Sequence, residues 1–82
     1  MKIEIIKNGI YRHYKGKNYR VLDVVLHSET KQEMVLYECL YENAESSLWV
    51  RPLHMFLETI TVEGATRPRF QYIGHIKGKN RF

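Results

Sequence analysis

Eighty-two residues supply one domain, because a chain this short buries only roughly 60 to 65% of its unfolded surface and cannot support two cores. Hydrophobic content of 44%, an aromatic share of 12% and charge at 27% argue against disorder over most of the chain and lean towards β structure, where Tyr, Phe and Trp pack well. The sole cysteine, Cys39, excludes an internal disulfide, and without an N-terminal apolar run or a spanning segment of about 20 residues the expectation is a cytoplasmic protein with no membrane contact.

The formal charge of +4 invites a polyanion as partner, but its distribution weakens that reading. Lys77, Lys79 and Arg81 hold three of the 13 Lys and Arg, so residues 1–73 carry ten against nine acids. Gly74, Gly78 and Asn80 break any periodicity there, and residues 74–82 are expected to form a flexible basic tail.

In chain order, Ile3, Ile5 and Ile6 among Lys and Glu make residues 1–8 an N-terminal edge segment. Ile10-Tyr11-Arg12-His13-Tyr14 then reads as a first strand, stopped by Lys15-Gly16-Lys17-Asn18, a hairpin turn whose Gly and Asn tolerate positive φ. From Tyr19 to His27 the alternation places Leu22, Val24 and Leu26 on one face and Asp23 with His27 on the other. Ser28 to Gln32 is a polar hairpin loop. Glu33 to Glu42 carries Val35, Tyr37, Cys39 and Tyr41 at period two and Met34, Leu36 and Leu40 on the other parity, interrupted by Glu38, so a bulge is expected near Glu38.

Asn43 to Ser47 forms another loop. Leu48-Trp49-Val50-Arg51 reads as a strand with Leu48 and Val50 facing the core and Trp49 and Arg51 facing a partner. After Pro52, a short turn pins Leu53, Met55 and Phe56 onto the interior. Leu57 to Val62 alternates cleanly as far as Glu63-Gly64, and Arg67 to Ile73 returns as its hairpin partner, with Pro68 tolerable at an edge. Strands joined by short polar turns imply a small all-β fold, closed or nearly closed on itself.

Taken together, Gly9-Ile10-Tyr11-Arg12-His13-Tyr14-Lys15-Gly16, His27-Ser28-Glu29-Thr30, Leu40-Tyr41 and Trp49-Val50-Arg51-Pro52-Leu53 with Phe56 resemble a family of small bacterial domains of unknown function, number 1653. The resemblance covers roughly residues 9–73, which it implies form a single small β-barrel domain, and it transfers no functional residues. The order of elements is also similar to that of SH3-like and Tudor-like barrels of about five strands, with one short 3-10 turn near residues 52–56.

Three constellations bear on function. Trp49 and Arg51 pair an indole with a guanidinium, a combination that stacks a planar ring and holds a phosphate or carboxylate. The competing role is structural, with Trp49 closing the barrel end and Arg51 paired to an acid such as Glu29 or Glu42. Tyr11, Tyr14, Tyr19, Tyr37 and Tyr41 form either an aromatic wall for a ligand or cross-strand packing. Lys15, Lys17 and Arg20 add charge for a nucleic-acid backbone, or are simply solvated. His27 with Glu29 is either a proton-transfer pair or ordinary hairpin-loop chemistry.

The four histidines lack metal-ligand spacing and no glycine-rich phosphate loop or serine nucleophile elbow is present, so neither metal nor cofactor is expected. Cys39, mid-strand, is expected to be a buried, inert thiol. The reading that follows is a binding module for nucleic acid, RNA in particular, using Trp49, Arg51, Tyr41, His27 and Glu29, with Lys15, Lys17 and Arg20 as further contacts. Two alternatives stay open: a protein-interaction or assembly domain presenting an edge strand or the Trp49 patch, as a monomer or weak homodimer, and a small enzyme using His27 and Glu29.

Overall fold

A computed structural model describes residues 5–75. Of the expected basic tail, residues 74–82, Gly74 and His75 instead continue the last strand, and the rest, with Lys77, Lys79 and Arg81, lies outside the described residues. The elements are β1 (Gly9–His13), β2 (Asn18–Leu26), β3 (Glu33–Cys39), β4 (Leu48–Pro52), α1 (Leu53–Phe56), β5 (Thr59–Val62), β6 (Ala65–Pro68) and β7 (Phe70–His75). Of the expected N-terminal edge segment, Ile5 and Ile6 have no regular structure and Lys7 and Asn8 form a turn. The Ile6 N–H donates to the Tyr11 hydroxyl at 3.1 Å, which anchors this approach to the core.

The fold is all-β. Five strands form one antiparallel sheet in the order β4-β3-β2-β1-β7, and β5 with β6 forms a separate two-stranded sheet. The strands do not close a barrel: β4 and β7 remain the two edges of the larger sheet. Among the described residues, no helix is long and apolar enough to cross a membrane.

Turn chemistry sets the hairpins. Gly16 (φ 109) sits between β1 and β2, and Glu63 (φ 52) with Gly64 (φ 80) gives the two positive φ values that a tight two-residue hairpin needs. That turn connects β5 to β6, so the partner of β5 is Ala65–Pro68 and not the expected run from Arg67 to Ile73. The run is divided at Arg69, whose N–H bonds to the Glu58 carbonyl while its own carbonyl accepts from Tyr14. Beyond it, β7 leaves to pair with β1 and continues to His75.

Packing centres on aromatic rings. Tyr11, Val21, Val35, Tyr37, Phe56 and Phe70 are buried, with Ile5, Tyr19, Trp49 and Leu53 packed against them. Phe56 and Phe70 stack at 4.1 Å, and Tyr11 and Tyr37 approach Phe56 at 5.4 and 5.6 Å. α1 exists to deliver Phe56: the Leu57 N–H bonds to the Leu53 carbonyl at 3.0 Å, an i to i+4 bond, so the turn is α-helical and not the expected 3-10 type. Met55 is exposed, and only Leu53 and Phe56 turn inward.

Two further expectations are corrected by register. In β2 the deepest residue is Val21, fully buried, while Leu26 is exposed. Val21 pairs with Tyr37 but Asp23 pairs with Leu36, which leaves Leu22 as the extra residue of a bulge. The irregularity thus falls in β2 opposite β3, not at Glu38, and it exchanges the parity of the core face from Tyr19 and Val21 to Val24.

In β4 the faces are inverted. Trp49 pairs with Tyr37 and Arg51 with Val35, so they share the side of the sheet on which Val35 and Tyr37 are buried. Leu48 and Val50 point to the outer side and are 48% and 51% exposed. Leu48→Thr and Val50→Thr are therefore expected to change unfolding free energy by no more than about 0.5 kcal/mol. Urea titration measures this, and a loss of about 2 kcal/mol or more would return these two residues to the core.

Candidate functional site

The side chains that the sequence pairs on β4 do meet, in a cleft at the end of the aromatic core. Tyr19 from β2, Tyr37 from β3, Trp49 and Arg51 from β4, and Tyr41 and Asn43 from the loop after β3 enclose about 200 Å³. They converge because Tyr19, Tyr37 and Trp49 occupy the inner face of three adjacent strands, while Tyr41 and Asn43 curl over from the segment that joins β3 to β4.

Hydrogen bonds and ring contacts hold the walls. The Tyr19 and Tyr41 hydroxyls lie 2.9 Å apart, and their rings meet edge to face at 5.6 Å. Burial first, then the bond to Tyr41, pushes the Tyr19 hydroxyl well above the ordinary phenol range, so it stays protonated and able to donate. The Trp49 indole N–H donates to Cys39 Sγ at 3.2 Å, which fixes the plane of the indole. Cys39 is only half-buried.

Arg51 is the one cation of the lining. Its Nε donates to the Tyr37 hydroxyl at 3.4 Å, and its Cζ lies 5.4 Å from the centroid of Phe70. Among the described residues no carboxylate lies within 4.0 Å of it; the ion pairs there are Lys7–Asp23, Arg20–Glu38 and Arg69–Glu58. The expected alternative of an Arg51 pair with Glu29 or Glu42 is thus absent. Lys17 Nζ sits 4.7 Å from the Tyr41 ring centroid, on the same rim.

The other expected site residues are dispersed. His27 and Glu29 lie in the exposed turn after β2, beyond the Leu26–Glu33 pair, while Trp49 is opposite Tyr37. Four residues of β3 separate the two positions, roughly 13 Å. The His27 Nδ1 accepts the N–H groups of Glu29 at 3.1 Å and Thr30 at 3.4 Å, so the imidazole works as a loop cap. Arg20 faces the outer side of the sheet, in a 2.6 Å pair with Glu38. Lys15 is exposed in the β1–β2 turn, its Nζ 5.8 Å from the Tyr14 ring.

Tyr11 is part of the core, and its hydroxyl is raised chiefly by burial. Of the five tyrosines read as a wall, Tyr19, Tyr37 and Tyr41 line the cleft. Asn43 was not foreseen, because an irregular loop carries no periodic signal for where its side chains go. Among the described residues, no three His, Cys, Asp or Glu side chains gather where they could hold a metal ion.

The edge of β4 is poorly equipped for strand addition. The Cys39 N–H bonds to the Ser47 carbonyl, so Leu48, Val50 and Pro52 direct their backbone groups to the open side. Ser46 Oγ accepts the Leu48 N–H at 3.1 Å and donates to its carbonyl at 2.8 Å, and Pro52 has no N–H.

Comparison with known proteins gives a family and a related fold. Residues 9–72 match the model of a family described as "Protein of unknown function (DUF1653)". A crystal structure of a member of that family from Bordetella bronchiseptica is similar at 36% identity, with a TM-score of 0.81 over 88% of this chain and 92% of the other. Among curated proteins none matches.

Proposed function

The chain belongs to the family of proteins of unknown function DUF1653, and since that description assigns no activity, we propose from the chemistry of the cleft that it is a binding module for single-stranded RNA. The observation that carries the proposal is Arg51, a guanidinium without a carboxylate partner among the described residues, set in a cleft walled by four aromatic rings. Arginine presents planar, paired donors that fit phosphate, and it opposes a cationic guest. Trp49 and Tyr41 supply π faces on which an unpaired base can stack.

Size supports a single strand. A cleft of about 200 Å³ holds one base ring, and duplex RNA offers no unstacked base to fill it. The Tyr19 and Tyr41 hydroxyls are the groups able to reach a 2′-hydroxyl, which is the basis for preferring RNA over DNA; the Asn43 amide is held by the Glu45 N–H and by Cys39 Sγ. The assembly reading draws less support, because Trp49 turns into the cleft and the β4 edge is capped by Ser46. The His27–Glu29 reading is met by a turn in which the imidazole is already engaged by backbone N–H groups.

Trp49 is the sole tryptophan and reports its own site. Titration with a short oligouridylate is expected to quench its fluorescence. With about two phosphates neutralised, affinity should fall about sevenfold between 50 and 200 mM salt, from a slope near −0.7 per phosphate. Arg51→Ala should weaken binding about tenfold or more, as loss of a charge-assisted contact does, with far-UV circular dichroism checking that the variant is folded. Affinity indifferent to salt and to Arg51 would reject the proposal, and equal affinity for the matching DNA would reject its RNA component.

A further inference from the structure

A second group of basic side chains, His13, Lys15 and Arg69, connects to Arg51 through aromatic rings. Phe70 connects the two: Arg51 lies over its ring at 5.4 Å, and His13 meets the same ring edge to face at 4.9 Å. His13 in turn packs against Tyr14 at 4.6 Å, and Tyr14 has Arg69 at 5.9 Å and Lys15 at 5.8 Å from its ring centroid. These ring contacts join the basic side chains of β1, the β1–β2 turn and the link before β7 to Arg51 of the cleft.

Resting on the RNA-binding reading, we propose that His13, Lys15 and Arg69 form a second phosphate subsite, one nucleotide along from Arg51, so that the chain binds a dinucleotide unit whose backbone runs from Arg51 to His13, the two side chains that cover the buried Phe70 ring. Charge sets this direction. On the opposite rim the loop after Tyr41 carries Glu42 and Glu45, which repel a phosphate, whereas on the Phe70 side the acid in contact is Glu58, whose Oε1 lies 3.4 Å from Arg69 Nε. Beside that contact the Arg69 side chain stays 24% exposed.

His13 is oriented for the role. Its Nδ1 accepts the Lys15 N–H at 3.2 Å, which assigns the ring proton to Nε2 and makes that nitrogen a donor. Burial, followed by the nearby Arg51, Arg69 and Lys15, holds its pKa below the ordinary imidazole range. A phosphate placed among these cations offsets their repulsion, so binding there must raise that pKa.

The test compares 5′-uridylate with the 5′-phosphorylated uridine dinucleotide, by Trp49 fluorescence and by the titration of His13 in NMR. The dinucleotide is expected to bind about tenfold tighter, as one added charge-assisted phosphate contact allows, and to raise the His13 pKa more than the mononucleotide does. In Lys15→Ala, a change at an exposed turn residue, the ratio of the two affinities should shrink to about threefold. Equal affinities of the two nucleotides, or an unmoved His13, overturn the second subsite and leave the cleft proposal in place. Failure of both nucleotides to bind overturns the two together.

Discussion

Phe56→Ala is expected to remove about 3–5 kcal/mol of the domain's stability. The side chain is 1% exposed, stacks on Phe70 and receives the edges of Tyr11 and Tyr37. Truncating a buried phenylalanine costs about 3–5 kcal/mol, the transfer of the ring plus the cavity it leaves. A domain of this length has a total stability of only about 4–12 kcal/mol, so the loss consumes much of it. The rings around the vacancy are held by strands from both sides of the sheet and cannot collapse into it. Urea denaturation followed by Trp49 fluorescence and circular dichroism measures the change. A loss below about 1 kcal/mol would show that the aromatic stack is not the centre of the core.

Gly9→Ala is expected to cost about 1–3 kcal/mol, by overpacking where a methyl has no room. A Cβ at this position would lie 2.9 Å from the Ile6 carbonyl oxygen and 2.9 Å from Tyr72 Cε1. The oxygen is backbone and accepts the Gly9 N–H at 2.9 Å, so it cannot move aside without losing that bond. The tyrosine ring is tied to His75 Nδ1 at 2.6 Å and packs edge to face on Tyr11. Combining Gly9→Ala with Tyr72→Ala should recover only the part of the cost due to the ring. Full recovery in that double mutant cycle would assign the whole conflict to Tyr72, and unchanged stability in Gly9→Ala would remove it altogether.

The family match begins at this glycine, and its close contacts give a physical reason for the residue type in this chain. The same holds for Pro52-Leu53 and Phe56. Proline ends β4 at a residue that needs no ladder N–H, and the single helical turn after it swings Phe56 beneath the sheet.

Much of the site was legible in part. That Trp49 and Arg51 share a face follows from their spacing alone, and so does the common side of Tyr37 and Cys39. Which face it is did not follow, because β4 carries apolar residues on both parities: Leu48 and Val50 on one, Trp49 on the other. Alternation cannot rank these. His27 and Glu29 are two residues apart and read as a pair, yet their turn sits at the far end of β3 from the cleft. Tyr41 and Asn43 enter the site from a loop, where no period applies.

By itself the chain determined what a few neighbouring residues can settle: an all-β fold, breaks at Gly16, at residues 28–32 and at Glu63-Gly64, and one turn delivering Phe56. Those features are local, fixed by φ preferences and two-residue alternation. Tertiary structure alone decided the bulge at Leu22, the division of the last strand at Arg69, the inward face of Trp49 and the approach of His13 to Arg51 across Phe70. Each depends on register between strands distant in sequence, and a shift of one residue in that register carries every side chain to the other face of the sheet.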